Sequence, residues 1–301
     1  MISQVFKYPA DEYRRIKAIN ALMKNYRCIQ CFEIGKSVFN KCIPCLRIGD
    51  TPSYVLYTAA YHGMEWINSI LMLAFAERVC KCIEYGGLLY GFNIKTIIEK
   101  RGIMIVPCVN PDGVEISLYG SSAAGRYYSD IERMSEGNTT TWQANGRGVD
   151  INHNFNAGWN ELHTLEKQNG ITAPGRTRYG GEYPESEPET AAITGLCRRS
   201  LFDTAYAFHS QGEVIYWDYG NTPSGSKTIA ELLSRESGYE VSAPSGLAVG
   251  GGFKDWFITE FNRPAFTIET GMGKNPLPLC DALGIYKKIE KMLVVSMSIY
   301  L

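Results

Sequence analysis

Two nearly continuous apolar runs constrain this chain most: Tyr54-Val55-Leu56-Tyr57-Thr58-Ala59-Ala60 and Gly102-Ile103-Met104-Ile105-Val106-Pro107-Cys108-Val109. Runs this short, apolar at both alternating positions and stopped by polar or turn residues, are strands buried on both faces of a sheet. Such strands require a layer above and a layer below. Residues 9–25 carry Tyr13, Ile16, Ile19, Leu22 and Met23 on one helical stripe; a second helix fits about 65–84, and a final amphipathic helix fits 281–299. Strand-like runs at 28–34 and 41–48 flank Gly35-Lys36-Ser37 as a hairpin, and further strands fit 203–208, 213–219 and 264–269. Ser186-Glu187-Pro188-Glu189 has a capping-box pattern, which predicts a helix to about Arg199 and gives Glu189 a structural task. From about 120 to 185 the chain is rich in Gly, Asn, Thr and Tyr without periodicity, as in a long functional loop. The alternation predicts an α/β fold with a mostly parallel, mixed sheet between helical layers. No repeat or linker divides the chain, so residues 1–301 are expected to form a single domain.

Thirty basic and thirty-one acidic residues give a net charge of -1, which excludes a global field for nucleic acid or an anionic membrane. No stretch approaches the roughly 20 apolar residues of a membrane span. Met1 to Lys7 contain no apolar signal core, and nine cysteines, an odd number, fit a reducing compartment; a cytoplasmic location is the expectation. Cys28-x2-Cys31 and Cys42-x2-Cys45 have the spacing of a small zinc ribbon, yet they fall in strand-like runs where cysteine also serves as a small core hydrophobe. The spacing leaves a second, structural zinc open.

Four histidines are present. His62 follows the first buried strand, with Glu65 three residues on, and His209 ends the predicted strand through Ala205-Tyr206-Ala207-Phe208. Sheets of this class gather ligands at the carboxyl ends of their strands. Two imidazoles and one carboxylate there form a catalytic zinc set with a position left for water. By itself the spacing is a weak signal, and a capped helix with a satisfied histidine is the plainer reading. His163 lies in a polar stretch, 161–169, and reads as solvated. Tyr127, Tyr128, Tyr179 and Tyr183 are candidates for a cleft wall.

Read in order, Tyr61-His62-Gly63-Met64-Glu65-Trp66, Asn110-Pro111-Asp112-Gly113, Gly148-Val149-Asp150-Ile151-Asn152, His209-Ser210-Gln211 and Phe266-Thr267-Ile268-Glu269 resemble the zinc metallocarboxypeptidase family. The resemblance implies one α/β domain with a mixed eight-stranded sheet. It implies one catalytic zinc held by His62, Glu65 and His209, with Glu269 as general base and acid and Asp150 orienting the first histidine. Trp142-Gln143-Ala144-Asn145-Gly146-Arg147 and Asn156-Ala157-Gly158-Trp159 are most similar to the γ-D-glutamyl-L-diamino-acid peptidase branch. That branch implies a small peptide substrate, a muropeptide, cut between γ-D-Glu and diaminopimelate.

The chain departs from the digestive members, which hold a terminal carboxylate with an Asn-Arg pair and a mobile tyrosine. Asn152 is kept, but His153 follows it; Leu247 falls near the tyrosine position, and Met64 stands where an arginine is usual. Lys254 falls at the base of the specificity pocket and suits a side chain ending in a carboxylate. The oxyanion donor falls at Gln143 by direct register, with Arg147 as the alternative. Two other readings follow from the same residues: a zinc carboxypeptidase or amidohydrolase on another acyl-amino acid, and a silent peptidoglycan-binding domain. Intact Glu269 beside three ligands argues against the silent domain.

Overall fold

A computed structural model of the chain describes residues 2–300. The strands of the main sheet are β1 (Ile29–Lys36), β2 (Cys42–Ile48), β3 (Tyr54–Ala59), β4 (Gly102–Val106), β5 (Phe202–His209), β6 (Val214–Tyr216), β7 (Glu240–Ser242) and β8 (Ala265–Glu269); Leu88–Leu89 and Phe92–Asn93 pair apart from it. The main sheet is mixed, in the order β1-β2-β4-β3-β5-β8-β6-β7. The central four, β4, β3, β5 and β8, run parallel to one another, while β2 and β6 join them antiparallel. The alternation inside the apolar runs explains the layers. Val55, Tyr57 and Ala59 face one core, whereas Tyr54 and Leu56 face the other; Ile103 and Ile105 repeat the division against Met104 and Val106.

The first core is closed by α1 (Glu12–Asn25), α2 (Ile67–Tyr85) and α3 (Ile94–Lys100), and by helices from the second half of the chain. Between them come α4 (Pro111–Tyr119), α5 (Tyr128–Ser135) and α6 (Trp159–Gln168). The opposite core is closed by α7 (Pro188–Arg199), through Ile193 and Leu196. The second-half helices are α8 (Ser226–Ser237) and α10 (Ala282–Ser298), on the first core, and α9 (Phe253–Phe261), whose Phe253, Trp256 and Phe257 enter the second.

Several local expectations are corrected. The hairpin turn lies past Gly35, at 37–41: Asn40 takes a left-handed φ of 63°, and Asp112 accepts from Ser37 Oγ at 2.7 Å and from Phe39 N at 2.8 Å. A long-range carboxylate, invisible to local pattern, sets that turn. The 120–185 region holds two helices, α5 and α6, instead of one unbroken loop. The capping box does not form. Pro188 opens α7 with Glu187 at the N-cap, and Glu189 turns inward to accept from Val38 N at 3.0 Å and Asn145 Nδ2 at 3.1 Å. Asn110-Pro111, read as a strand stop, also starts α4: the Asn110 side chain accepts from Gly113 N at 2.8 Å.

Because the central strands are parallel, their carboxyl ends share one edge. Glu269 stands opposite His209 in the β8–β5 register, and Ala59 stands opposite Phe208. Beyond Ala59 the chain makes a single 3-10 turn, Gly63–Glu65, before α2. That turn sits hard against α4. A Cβ on Gly63 would lie 2.2 Å from the Gly113 carbonyl oxygen, so only glycine permits the approach.

Candidate active site

His62, Glu65 and His209 meet at this edge, with one ligand atom from each lying within 4.8 Å of the others. His62 Nδ1 is 2.9 Å from Glu65 Oε1, and His209 Nδ1 is 3.2 Å from Glu65 Oε2. The two Nδ1 atoms are 3.4 Å apart. His62 Nε2 lies 3.2 Å from Asp150 Oδ1, so an Nε2–H donates there and Nδ1 is the nitrogen turned towards Glu65 and His209. Two imidazole nitrogens aimed at each other across a buried carboxylate are a poor hydrogen-bond arrangement and a good donor set for a cation. The residues fit the His2Glu set of a catalytic zinc. Tyr61 stacks on His209 at 5.3 Å between centroids and fixes its plane.

The electrostatics agree with that geometry. Burial opposes charge on His62, but the Glu65 and Asp150 carboxylates outweigh it and hold its pKa well above the usual value. Burial likewise pushes Glu65 up, while His62 and His209 pull it down to about 2. Asp150 stays well below the ordinary carboxylate range despite its burial, because His62, His153 and the Arg178 N–H favour the anion. Glu269 is pushed up to about 8, first by burial and then by the charge of Glu65. Two carboxylates so close, one driven down and the other up, have separate chemical capacities.

A cavity of about 620 Å³ opens over the set. Its lining includes His62, His209, Asp150 and Glu269, together with Gln143, Asn152, His153 and Lys254 from the sequence reading. Asn152 Oδ1 accepts from Phe253 N at 3.1 Å, and His153 Nδ1 is 2.8 Å from Glu166 Oε1. Gln143 Oε1 accepts from Thr177 Oγ1. Lys254 lies in the lining but is buried, and its Nζ donates to Asp255 Oδ1 and, at 2.8 Å, to the Asp218 carbonyl. Arg147 is not among the lining side chains. It is half exposed, 3.7 Å from Glu187 Oε1, with its backbone N–H on Asn145 Oδ1, so the alternative oxyanion donor stands outside the cavity.

Four tyrosines had been candidates for the wall, but Tyr216, with Thr267, Leu247 and Arg178, lines it instead. Tyr127 stacks on Phe39, Tyr179 is buried, and Tyr128 and Tyr183 are exposed. His163 is not solvated either: it stacks on Trp159 at 4.5 Å and bonds Glu166 Oε2 at 3.1 Å. The cysteine pairs do not converge. Cys45 is in the core, Cys42 is exposed, and among the described residues the one group able to hold a metal is His62, Glu65 and His209. Of the lining residues that sequence reasoning missed, Tyr216 was signalled by its predicted strand, whereas Arg178 had no signal.

The sequence profile described as zinc carboxypeptidase matches residues 16–292. The chain is 35% identical over 274 residues to gamma-D-glutamyl-L-diamino acid endopeptidase 1 of Lysinibacillus sphaericus, across 90% of this chain and 67% of that protein. It is 32% identical over 275 residues to an uncharacterised protein of Bacillus subtilis (strain 168), across 90% of this chain and 72% of the relative. Among solved structures, bovine thrombin-activatable fibrinolysis inhibitor in complex with tick carboxypeptidase inhibitor aligns with a TM-score of 0.75 at 19% identity, covering 97% of both chains. Murein-tripeptide amidase MpaA from Escherichia coli O157 aligns with a TM-score of 0.54 at 18% identity, covering 90% of this chain and 92% of the other. At these identities the two structures speak to the fold alone.

Proposed function

The chain belongs to the zinc carboxypeptidase family and is a metallopeptidase, and from that premise we propose that it hydrolyses the γ-D-glutamyl–meso-diaminopimelate bond of peptidoglycan stem peptides. The observation that carries the reading is the convergence of His62, Glu65 and His209 beside Glu269, one strand away in register. For the substrate, support comes from the 35% identity to a protein named for that peptide class. Residues 1–301 act in this reading as one catalytic domain holding one zinc ion. Its nine unpaired cysteines suit a reducing, cytoplasmic setting. No helix among the described residues is long and apolar enough to cross a membrane.

Zinc, when held by His62, Glu65 and His209, supplies Lewis-acid polarisation and offsets the Glu65 charge that raises Glu269. Glu269 takes a proton from a water molecule in the cavity as the water oxygen adds to the γ-carbonyl carbon. The C–N bond then breaks, and the same carboxyl returns that proton to the departing amine of diaminopimelate. Asp150 keeps His62 in the Nε2–H tautomer throughout. Gln143, on the cavity wall, is the amide that donates to the developing oxyanion in this reading.

The test is mass spectrometry of L-Ala-γ-D-Glu-meso-diaminopimelate after incubation with the zinc-loaded protein. Free diaminopimelate and L-Ala-D-Glu are expected. An intact tripeptide, with turnover of another acyl-amino acid in a panel, would move the substrate while leaving the peptidase chemistry.

A further inference from the structure

We propose, resting on the γ-glutamyl peptidase reading, that Arg178 is the cavity's receptor for a substrate carboxylate. Three independent observations lead there. The first is the state of the other cations. Lys254 is neutralised by Asp255, and His153 Nδ1 is engaged with Glu166. Arg178 lines the same cavity, is exposed, and no hydrogen bond or ion pair among the described residues engages its guanidinium.

The second is the backbone. Arg178 has a left-handed φ of 66°, a conformation that glycine takes without strain and a long side chain rarely adopts. Its N–H donates to Asp150 Oδ2 at 3.0 Å, and the next residue, Tyr179, accepts from Asp150 N at 2.8 Å through its carbonyl. Thr177, on the other side, donates to Gln143. The segment is thus pinned on both flanks, and a strained backbone held this firmly aims a side chain.

The third is chemical fit. A guanidinium presents a planar fork of donors that matches a carboxylate bidentately. A γ-glutamyl–diamino acid peptide carries carboxylates on both sides of the bond to be cut: the α-carboxylate of the glutamyl residue and those of the diamino acid. Either would pair with Arg178, and an amidated or truncated substrate would leave the guanidinium unpaired. Asp150 spans both tasks, with one oxygen facing His62 and the other holding the Arg178 backbone. The grip on the substrate and the metal set are therefore fixed relative to each other.

The experiment is calorimetric binding to zinc-loaded Glu269→Gln protein, which holds substrate without turning it over. The probes are L-Ala-γ-D-Glu-meso-diaminopimelate, the same peptide amidated at the glutamyl α-carboxylate, and the peptide amidated at the diaminopimelate carboxylates. Arg178→Gln is expected to weaken the unmodified peptide by roughly 10- to 100-fold, the loss of a charge-assisted pair, and Arg178→Lys to recover part of it. One of the amidated peptides should bind weakly already and be indifferent to Arg178→Gln; which one it is names the carboxylate. Unchanged affinity in Arg178→Gln, or dependence on Arg178 that survives both amidations, overturns the proposal. Turnover by the native protein separates the two readings: cleavage without Arg178 dependence sinks this inference alone, and Arg178-dependent binding without cleavage sinks the assigned reaction alone. A peptide neither bound nor cleaved overturns both.

Discussion

His62 Nε2 lies 3.2 Å from Asp150 Oδ1, and the second oxygen of that carboxylate is taken by the Arg178 backbone. Each oxygen thus serves one side of the site, and Oδ1 also accepts from Asn152 N at 3.1 Å. Asp150→Asn keeps the shape but removes the charge and turns one acceptor into a donor. Zinc affinity should fall by roughly 10- to 100-fold with the fold intact. Competition with a chromophoric chelator measures it, and an affinity equal to that of the native protein would remove Asp150 from the metal's support.

Glu269→Gln should retain zinc and lose catalysis by about 10²- to 10⁴-fold, the range for a positioned acid–base group. Single-turnover assays with metal content measured on the same sample decide this. An unchanged rate in a zinc-replete variant would falsify the proton-transfer role.

The buried pair Asp112 and Glu189 gives a pH dependence of stability. Burial and the nearby Asp112 charge raise Glu189 to about 8, and burial raises Asp112 to about 6. Both folded pKa values lie above the unfolded ones, so between them the unfolded chain binds fewer protons than the native state. Their stabilising contribution is complete below about pH 4 and is lost as pH rises through about 6 and then about 8. Urea denaturation at pH 5, 7 and 9 should show declining stability, with a visibly shallower decline in Glu189→Gln whatever that variant's constant offset. Parallel curves for the two proteins would contradict the assignment.

Lys254 and Asp255 form a buried ion pair, and Asp255 also accepts from Gly250 N at 2.7 Å. Removing only the lysine strands a buried carboxylate. Lys254→Met should destabilise by about 3–5 kcal/mol, and Lys254→Met with Asp255→Leu should restore much of that loss. Differential scanning calorimetry reads both. A melting temperature unmoved by Lys254→Met would mean that the pair is open in solution and the ammonium free for substrate.

The strand ends and the candidate metal ligands were legible because each is a local pattern with a fixed consequence: an apolar run must be buried, and a histidine at or just past its end lies near the sheet edge. Asp150 and Glu269 were legible through the order of motifs. Glu189 was misread because a capping box and an inward carboxylate share one sequence, and only the contact with Val38, 151 positions away, distinguishes them. Lys254 was placed in the cavity, but its pairing with the next residue depends on how deeply α9 enters the core. Arg178 was invisible. Its loop has no period, and its direction is set by a carboxylate 28 positions earlier in the chain.

The register of β3, β5 and β8 also has a kinetic consequence. His62 and His209, 147 residues apart, come together only once β3 and β5 have paired, and Glu269 joins only after a further strand has been added. Contacts of such wide sequence separation form slowly, because loop closure must precede them. The chain therefore makes its metal-binding set late. Zinc uptake after dilution from denaturant should trail the recovery of helical signal, so that bound metal counts finished molecules.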